Sequence, residues 1–396
     1  MESLENQSQI DFDKKKFNNS KSKPRIHTFD LARGIAILFM IMQHSVLIYG
    51  NLAVKSSFIG LLIIALGTIP AAPVFLFLMG VCFKYIEQDA FERFRYGIRR
   101  GIKLFFLGYF LNVLRFTVPL LVGLGEFELN LYKSDISIPI TISSSFFIVD
   151  ILQCAGLSMI VMSVFTRYFK KDSYFILIAL FIAFVSPFLW GIMTTLSAID
   201  FFLNIIWGTN PNVFFPIFPW MSYPFVGMAF GQRFRFTLNI DQLISTSRNF
   251  GICLFIISIL IALRNLGRGI IVIGSIINLL NPLLEFNSHE HPSPIGIILI
   301  IGFVLIWLWL CHLFVKKLPQ NIIYDILFYW SKKVTVMYFF QWIFIGWGIF
   351  IFGYQSQNLL MTLFLFLSII LITHLFSFLI LRLKGPKRSL TKGTFR

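Results

Sequence analysis

The chain has 396 residues, of which 57% are hydrophobic and 13% charged, and it carries 48 phenylalanines. That composition excludes a soluble globular protein and leaves no segment able to bury a soluble core of its own. Its net charge of +16 would point to nucleic acid in a soluble chain; in this one the bilayer is the expected partner, by the positive-inside rule.

Residues Met1–Thr28 are polar and Lys-rich, with a cluster at Lys14–Lys16. They are expected to be a disordered cytoplasmic tail with no cleavable signal peptide. The first span, Phe29–Tyr49, has the length of about 20 residues that a bilayer crossing needs, and it is interrupted by Asp30, Arg33 and His44. Arg33 and His44 are 11 positions apart. At about 100° and 1.5 Å per residue they share a helix face, separated by about 16 Å along the axis. Ionisable groups inside a bilayer usually face a bundle interior or a wet cavity, and histidine suits proton transfer near neutral pH. The plainer alternative is that His44 only hydrogen-bonds a neighbouring helix while Arg33 snorkels to headgroups.

Span 2, Phe58–Phe83, contains Pro70 and Pro73, which free backbone carbonyls and predict a kink, with or without a cavity. A basic inner loop, Lys84–Lys103, then leads into span 3, Ile98–Phe116. Arg93, Arg95, Arg99, Arg100 and Lys103 serve topology and lipid headgroups on one reading, and a phosphate site on the other. Span 3 closes on Asn112 and Arg115; an arginine on the outer side requires an acidic partner or an anionic ligand. The outer segment Thr117–Ser145 reads as loops or a re-entrant piece. Span 4, Phe146–Phe165, opens on Asp150 and Gln153 at i, i+3, which puts them on one helical face with Asp150 as a partner to orient or charge His44.

Span 5 is Tyr174–Trp190. Span 6 lies in FFPIFPWMSYPFVGMAFGQRF, where three prolines predict a broken helix, and span 7 is Phe250–Leu263. In the outer loop Arg264–Pro294, His289 and His291 do not share a helical face and lack further ligands nearby. They read as polar substrate contacts and not as a metal site. Span 8, Ile295–Val315, holds an interface histidine, His312. A short interfacial stretch, Leu318–Trp330, precedes span 9, Val334–Phe352, with Tyr338, Gln341 and Trp342, and span 10, Leu359–Leu381. Residues 382–396 form a basic tail. The four cysteines have no metal-ligand spacing and read as small apolar residues.

Divided at these spans, 28 of the 34 lysines and arginines fall on one side. The expected fold is therefore an all-α integral membrane protein, a bundle of about ten transmembrane helices over residues 29–381 with both termini cytoplasmic.

The stretches DLARGIAILFMIMQH, APVFLFLMG, RGIKLFFLGYFLN, VDILQCAGLS, FPIFPWMSYPFVGMAFGQ and YFFQW occur in order over residues 25–345. Together they resemble bacterial relatives of heparan-α-glucosaminide N-acetyltransferase, within the transmembrane acyltransferase superfamily. The Arg33–His44 spacing is also similar to the arginine–histidine motif of bacterial membrane acyltransferases that O-acylate surface polysaccharides. The resemblance implies transfer of acetyl from cytoplasmic acetyl-CoA to a sugar or glycan on the far side, in a bacterial-type cytoplasmic membrane. It implies acyl-CoA handling by Arg33 and catalysis by His44, and it maps Asp150 and Gln153 to a recurrent patch. The lysosomal enzyme's catalytic histidine lies in the outer loop after the first span, whereas Gly50–Ser57 has none. His44 would take that role, and the acceptor group is an amine or a hydroxyl.

The ~16 Å separation is about the reach of a pantetheine arm. Arg33, Arg93, Arg95, Arg99 or Arg100 would hold the nucleotide, His44 positioned by Asp150 would be the base, and Gln153 or helix dipoles would steady the oxyanion. Asn112, Arg115, His289 and His291 complete the candidate substrate contacts, and a homodimer is compatible with the sequence. Two other classes stay open: a small-molecule or sugar transporter with proline-broken spans, and a non-catalytic scaffold on the same fold.

Overall fold

A computed structural model describes residues 25–86, 89–123, 127–129, 138–208, 210, 212–237, 239–266 and 291–383. In chain order its helices are α1 (His27–Tyr49), α2 (Leu52–Ser56), α3 (Phe58–Thr68), α4 (Ala72–Tyr85), α5 (Ala90–Asn112), α6 (Val118–Leu121) and α7 (Ile142–Phe146). They continue with α8 (Ile151–Tyr168), α9 (Asp172–Leu189), α10 (Ser197–Trp207), α11 (Ile217–Trp220), α12 (Ser222–Phe236) and α13 (Ile240–Leu266). The last four are α14 (Pro294–Lys317), α15 (Ile322–Lys332), α16 (Val334–Phe352) and α17 (Leu359–Leu383).

Among the described residues, nine helical stretches are long and apolar enough to cross a membrane. They coincide with nine of the ten expected spans. The sixth differs: its prolines divide it into α11 and the 15-residue α12. At about 1.5 Å per residue α12 alone is shorter than the ~30 Å hydrocarbon core. Span 2 also breaks, between α3 and α4 at Ile69–Ala71, where Pro70 lacks the N–H that would continue the ladder.

Span 3 begins earlier than the sequence suggests. Asp89 caps α5 by accepting from the Phe91 N–H, so Arg93 and Arg95 lie on the same helix as Arg99 and Arg100 and not in a loop before it. After Asn112 the chain runs through a π-turn, Val113–Thr117, before α6. One extra residue in the turn rotates the side chains on it relative to α5, and Arg115 sits in that turn. The outer segment after α6 contains a two-stranded hairpin, β1 (Phe127–Leu129) and β2 (Ile138–Ile140), with Phe127 opposite Ile140. It replaces part of the expected loop or re-entrant piece.

α1 is the centre of the bundle, touching α3, α4, α14, α15, α16 and α17. Ala32 and Ala36 are fully buried on it, and Gly34 lets the α15 backbone approach: a Cβ there would lie 2.5 Å from the Leu327 carbonyl oxygen. Its N-terminal end is tied down by His312, whose Nδ1 lies 3.0 Å from Thr28 Oγ1 and whose Nε2 lies 2.8 Å from Asp241.

The three most extensive helix pairs are α5 with α8, α4 with α12, and α13 with α14. Each is built on glycine. Gly101 faces Gly156, Gly251 faces Gly302, and Gly227 and Gly231 of α12 meet the Phe77 and Val81 carbonyls of α4. Lipid tails are as apolar as leucine, so helix association in a membrane depends on this kind of close packing. A Cβ at Gly156 would sit 2.6 Å from the Gly101 oxygen and 2.7 Å from the Phe105 nitrogen. Gly156→Leu is therefore expected to destabilise the bundle by about 1–3 kcal/mol through overpacking. Its check is a lowered denaturation midpoint in detergent; an unchanged midpoint would show that α5 and α8 do not rely on this contact.

Candidate functional site

Both ends of α1 open into cavities. The inner one has a volume of about 650 Å³. Its lining includes five cations, Arg25, Arg33, Arg100, Lys332 and Lys333, beside Tyr96 and an apolar wall containing Phe75, Met79 and Leu104. The cations are brought there by separate devices. Arg25 forms a two-pronged ion pair with the buried Asp30, including Nη2 to Oδ1 at 2.8 Å, and Ser331 donates to the same carboxylate at 2.8 Å. One buried carboxylate thus joins the start of α1 to the α15–α16 junction, which carries Lys332 and Lys333. Arg33 donates to the Leu78 carbonyl and to Cys82 Sγ, both at 2.9 Å, on α4. Arg100 and Tyr96 are one turn apart on α5 and so share a face.

The outer cavity is about 60 Å³ and is lined by His44, Gln43, Thr68, Arg115, Asp150, Tyr338 and Trp342, among others. Gly67, Thr68, Ala71 and Ala72 of its wall come from the proline break between α3 and α4. The His44 ring lies 4.4 Å from the Trp342 ring, and its Nδ1 is 3.3 Å from the Gln341 side-chain amide. The Gln341 Oε1 is buried without a hydrogen-bond partner. Ile151 and Tyr338 line both cavities. They form the partition between them.

Arg115 is 1% exposed and donates from Nη1 to Asp150 and from Nη2 to Asn112 Oδ1, each at 2.8 Å. Its guanidinium also lies over the Trp342 ring at 4.6 Å, a cation–π contact in a desolvated setting. Asp150 is therefore the acidic partner that an outer-side arginine required.

Asp150 borders the same cavity as His44, but its oxygens serve the Ile151 N–H and Arg115; it does not hydrogen-bond the imidazole. The residue at His44 Nδ1 is Gln341. Gln153 lines neither cavity. Its Oε1 accepts from the Asp150 N–H at 3.1 Å and its Nε2 donates to the Ile148 carbonyl at 3.1 Å, a capping box that starts α8. Both ends of its amide are thus engaged at the start of α8, away from either cavity. Asn112 is likewise buried and engaged, donating to the Phe146 and Ile148 carbonyls at 2.9 and 2.7 Å.

Of the α5 arginines only Arg100 reaches the inner cavity. Arg93 is buried and donates to the Ile86 carbonyl at 3.3 Å, which closes the α4–α5 turn, while Arg95 and Arg99 point out on an exposed face. His291 Nε2 lies 2.8 Å from the Gly208 carbonyl, and its ring packs on Trp190 at 5.3 Å; it lines neither cavity. His289 lies outside the described residues. No group of three or more metal-ligand side chains occurs among the described residues.

Arg25, Lys332, Lys333 and Tyr96 are site residues that the sequence does not single out. The first three lie in regions that serve topology equally well, and only helix packing brings them to Arg33. Gln341 and Trp342 have a fainter signal, since Tyr338, Gln341 and Trp342 at i, i+3, i+4 make a polar stripe on an apolar span.

Among the described residues, nine long apolar helices and two cavities that share lining residues inside the bundle define an integral membrane protein with an internal site. Residues 25–258 match the family described as heparan-alpha-glucosaminide N-acetyltransferase, catalytic. The match covers more than half of the chain, and the chain belongs to that family, whose description is that of an N-acetyltransferase. No curated protein sequence matches the chain. The family match ends before α14, so Lys332, Lys333, Tyr338, Gln341 and Trp342 lie beyond it.

Proposed function

We propose that the protein transfers acetyl from acetyl-CoA in the inner cavity to a sugar or glycan acceptor in the outer one. The observation that carries this reading is the partition: a cavity with five cations and a cavity with His44 share Ile151 and Tyr338 as a common wall. Arg25, Arg33, Arg100, Lys332 and Lys333 match the charge of a nucleotide's phosphates, since guanidinium forks and ammonium groups both bind phosphate oxygens. Tyr96 offers a ring face to the adenine, and the apolar wall suits the pantetheine arm. The small outer cavity suits a short acyl group.

His44 is the base. Gln341 Nε2 lies at Nδ1; with that amide flipped, so that the Oε1 otherwise left without a partner faces Nδ1, the Nδ1–H donates to it and the imidazole Nε2 is left unprotonated. That nitrogen takes the proton from the acceptor amine or hydroxyl as its lone pair adds to the thioester carbon. Collapse of the tetrahedral intermediate re-forms C=O and breaks the C–S bond. The CoA thiolate then takes the proton back from the imidazolium. An acetyl-histidine intermediate is the alternative within the class; acetyl label retained stably on the protein without acceptor would sink direct transfer. The distribution of 28 of 34 basic residues supports a cytoplasmic inner cavity with both termini on that side, in a bacterial-type cytoplasmic membrane.

Calorimetry with acetyl-CoA on detergent-purified protein tests the donor site. Wild type is expected to bind, and Arg33→Ala to bind about 10–100-fold more weakly, the equivalent of the ~1.5–3 kcal/mol of a charged hydrogen bond. If wild type has no affinity for acyl-CoA, the donor site does not exist and transport becomes the better reading.

A further inference from the structure

Lys84 is a buried cation that neither cavity uses. It is the last residue but one of α4 and 6% exposed, and it lines no part of either site. A charge at that depth is costly unless it is paired, and no ion pair among the described residues includes it. Its ammonium lies over the Phe175 ring of α9, 4.8 Å from the centroid. A ring face offsets only part of the cost of burial. Asp172, three residues before Phe175, already holds Arg233 at 2.9 Å.

The surrounding fold collects further positive charge. Phe77 of α4 meets Gly227 of α12, and Val81 meets Gly231, so the two helices run parallel. One turn further on, the Tyr85 and Phe234 rings face each other with centroids 6.4 Å apart. That register puts Arg235, the next residue of α12, level with Lys84. Arg93 of α5 comes to the same end of α4 by donating to the Ile86 carbonyl at 3.3 Å. The start of α9 is here too: Phe175 is its fourth residue, its N-cap position, Lys171, makes no side-chain cap, and a helix start carries the positive end of the dipole. Beside this charge runs an apolar stripe, since Tyr174, Leu177 and Phe181 of α9 are all exposed.

We propose that Lys84 holds the phosphate of an anionic membrane lipid, seated where α4 and α12 end and α9 begins, with its acyl chains along the exposed stripe of α9. The membrane-spanning stretch that contains α4 ends at Tyr85, which puts the Lys84 ammonium at headgroup depth. An ammonium on a phosphate oxygen makes a charge-assisted hydrogen bond, and the lipid supplies the counter-charge that the described residues do not. The apolar stripe is what favours a lipid over free phosphate. The inference goes beyond the acetyltransferase reading and does not depend on it.

The test uses the full chain in detergent, with phosphatidylglycerol, phosphatidylcholine and inorganic phosphate as probes, and reads retained lipid by native mass spectrometry. Wild type is expected to hold phosphatidylglycerol about tenfold more tightly than phosphatidylcholine, the effect of one charged hydrogen bond. Lys84→Met keeps an unbranched stem and is expected to lose that preference, while Lys84→Arg keeps it. Lys317→Met removes an exposed lysine at the end of α14 and is expected to stay within about twofold of wild type, as for a surface charge. Added phosphatidylglycerol is expected to raise the denaturation midpoint of wild type and not that of Lys84→Met. If Lys84→Met does not fold, Lys84→Gln reads the same loss. A Lys84 variant without the charge that keeps the wild-type preference, or a Lys317→Met that loses as much, overturns the inference. Inorganic phosphate that protects wild type as well as phosphatidylglycerol does would overturn the lipid and leave a soluble phosphate as the ligand.

Discussion

His44→Ala is expected to reduce acetyl transfer by about 10²–10⁴-fold, the range for removal of a general base, while acetyl-CoA binding stays at the wild-type level. The separation arises from α1 itself. Arg33 and His44 share one face three turns apart, but they open into different cavities, and His44 is absent from the inner one. His44→Gln keeps much of the volume and a hydrogen-bonding group beside Gln341 and should be equally inactive, because an amide takes up no proton. Steady-state kinetics and calorimetry on the same preparations decide the matter. Full activity in either variant would move the base elsewhere or leave the chain a scaffold.

The second large effect is on stability. Asp150→Ala is expected to destabilise the protein by about 3–5 kcal/mol, because it strands the buried Arg115 guanidinium without its counter-ion. It also removes the cap on the Ile151 N–H at 2.7 Å, for which about 1 kcal/mol is typical. Asp150→Asn keeps a capping oxygen and should lose less. Removing both charges, as Asp150→Asn with Arg115→Met, should recover part of the loss, since paired apolar replacements of buried ion pairs are often tolerated. Denaturant titration in detergent measures all four forms. If Asp150→Ala unfolds at the wild-type midpoint, the ion pair does not hold α8 to the π-turn.

These two residues also mark how differently the site is legible. His44 stands out because a bilayer tolerates few ionisable groups, so one sequence suffices to notice it and its phase with Arg33. Asp150 stands out too, but its sequence position does not show that its hydrogen bonds go to Arg115 and the Ile151 N–H. Spacing relates residues on one helix, and His44, Asp150 and Arg115 come from three separate segments. The π-turn that aims Arg115 toward Asp150 leaves no mark on hydropathy. Gln153 illustrates the same gap: its i, i+3 relation to Asp150 is visible, but the capping box that the two form at the start of α8 is seen only in the structure.

The arginine cluster on α5 misleads for a related reason. Five cations within a short basic run have no assigned face until the helix start is known. Once Asp89 caps α5, Arg100 and Tyr96 border the inner cavity, Arg93 is buried beside the end of α4, and Arg95 and Arg99 line no part of that cavity. The inner cavity's cations are recruited instead from distant parts of the chain, by Asp30 and Ser331.

By itself the sequence determined the solvent this chain folds in, the positions of nearly all its spans, and a first span that carries a cation and a histidine on a single face. Hydrophobic length and helical phase are local properties, and a bilayer enforces them strictly. Only the tertiary structure decided which side chains meet: that Arg115 pairs with Asp150, that Gln341 stands at His44, and that Tyr338 divides two cavities. In a membrane those encounters are set by glycine contacts such as Gly101 with Gly156, and close packing between distant segments has no periodicity along one chain from which it can be read.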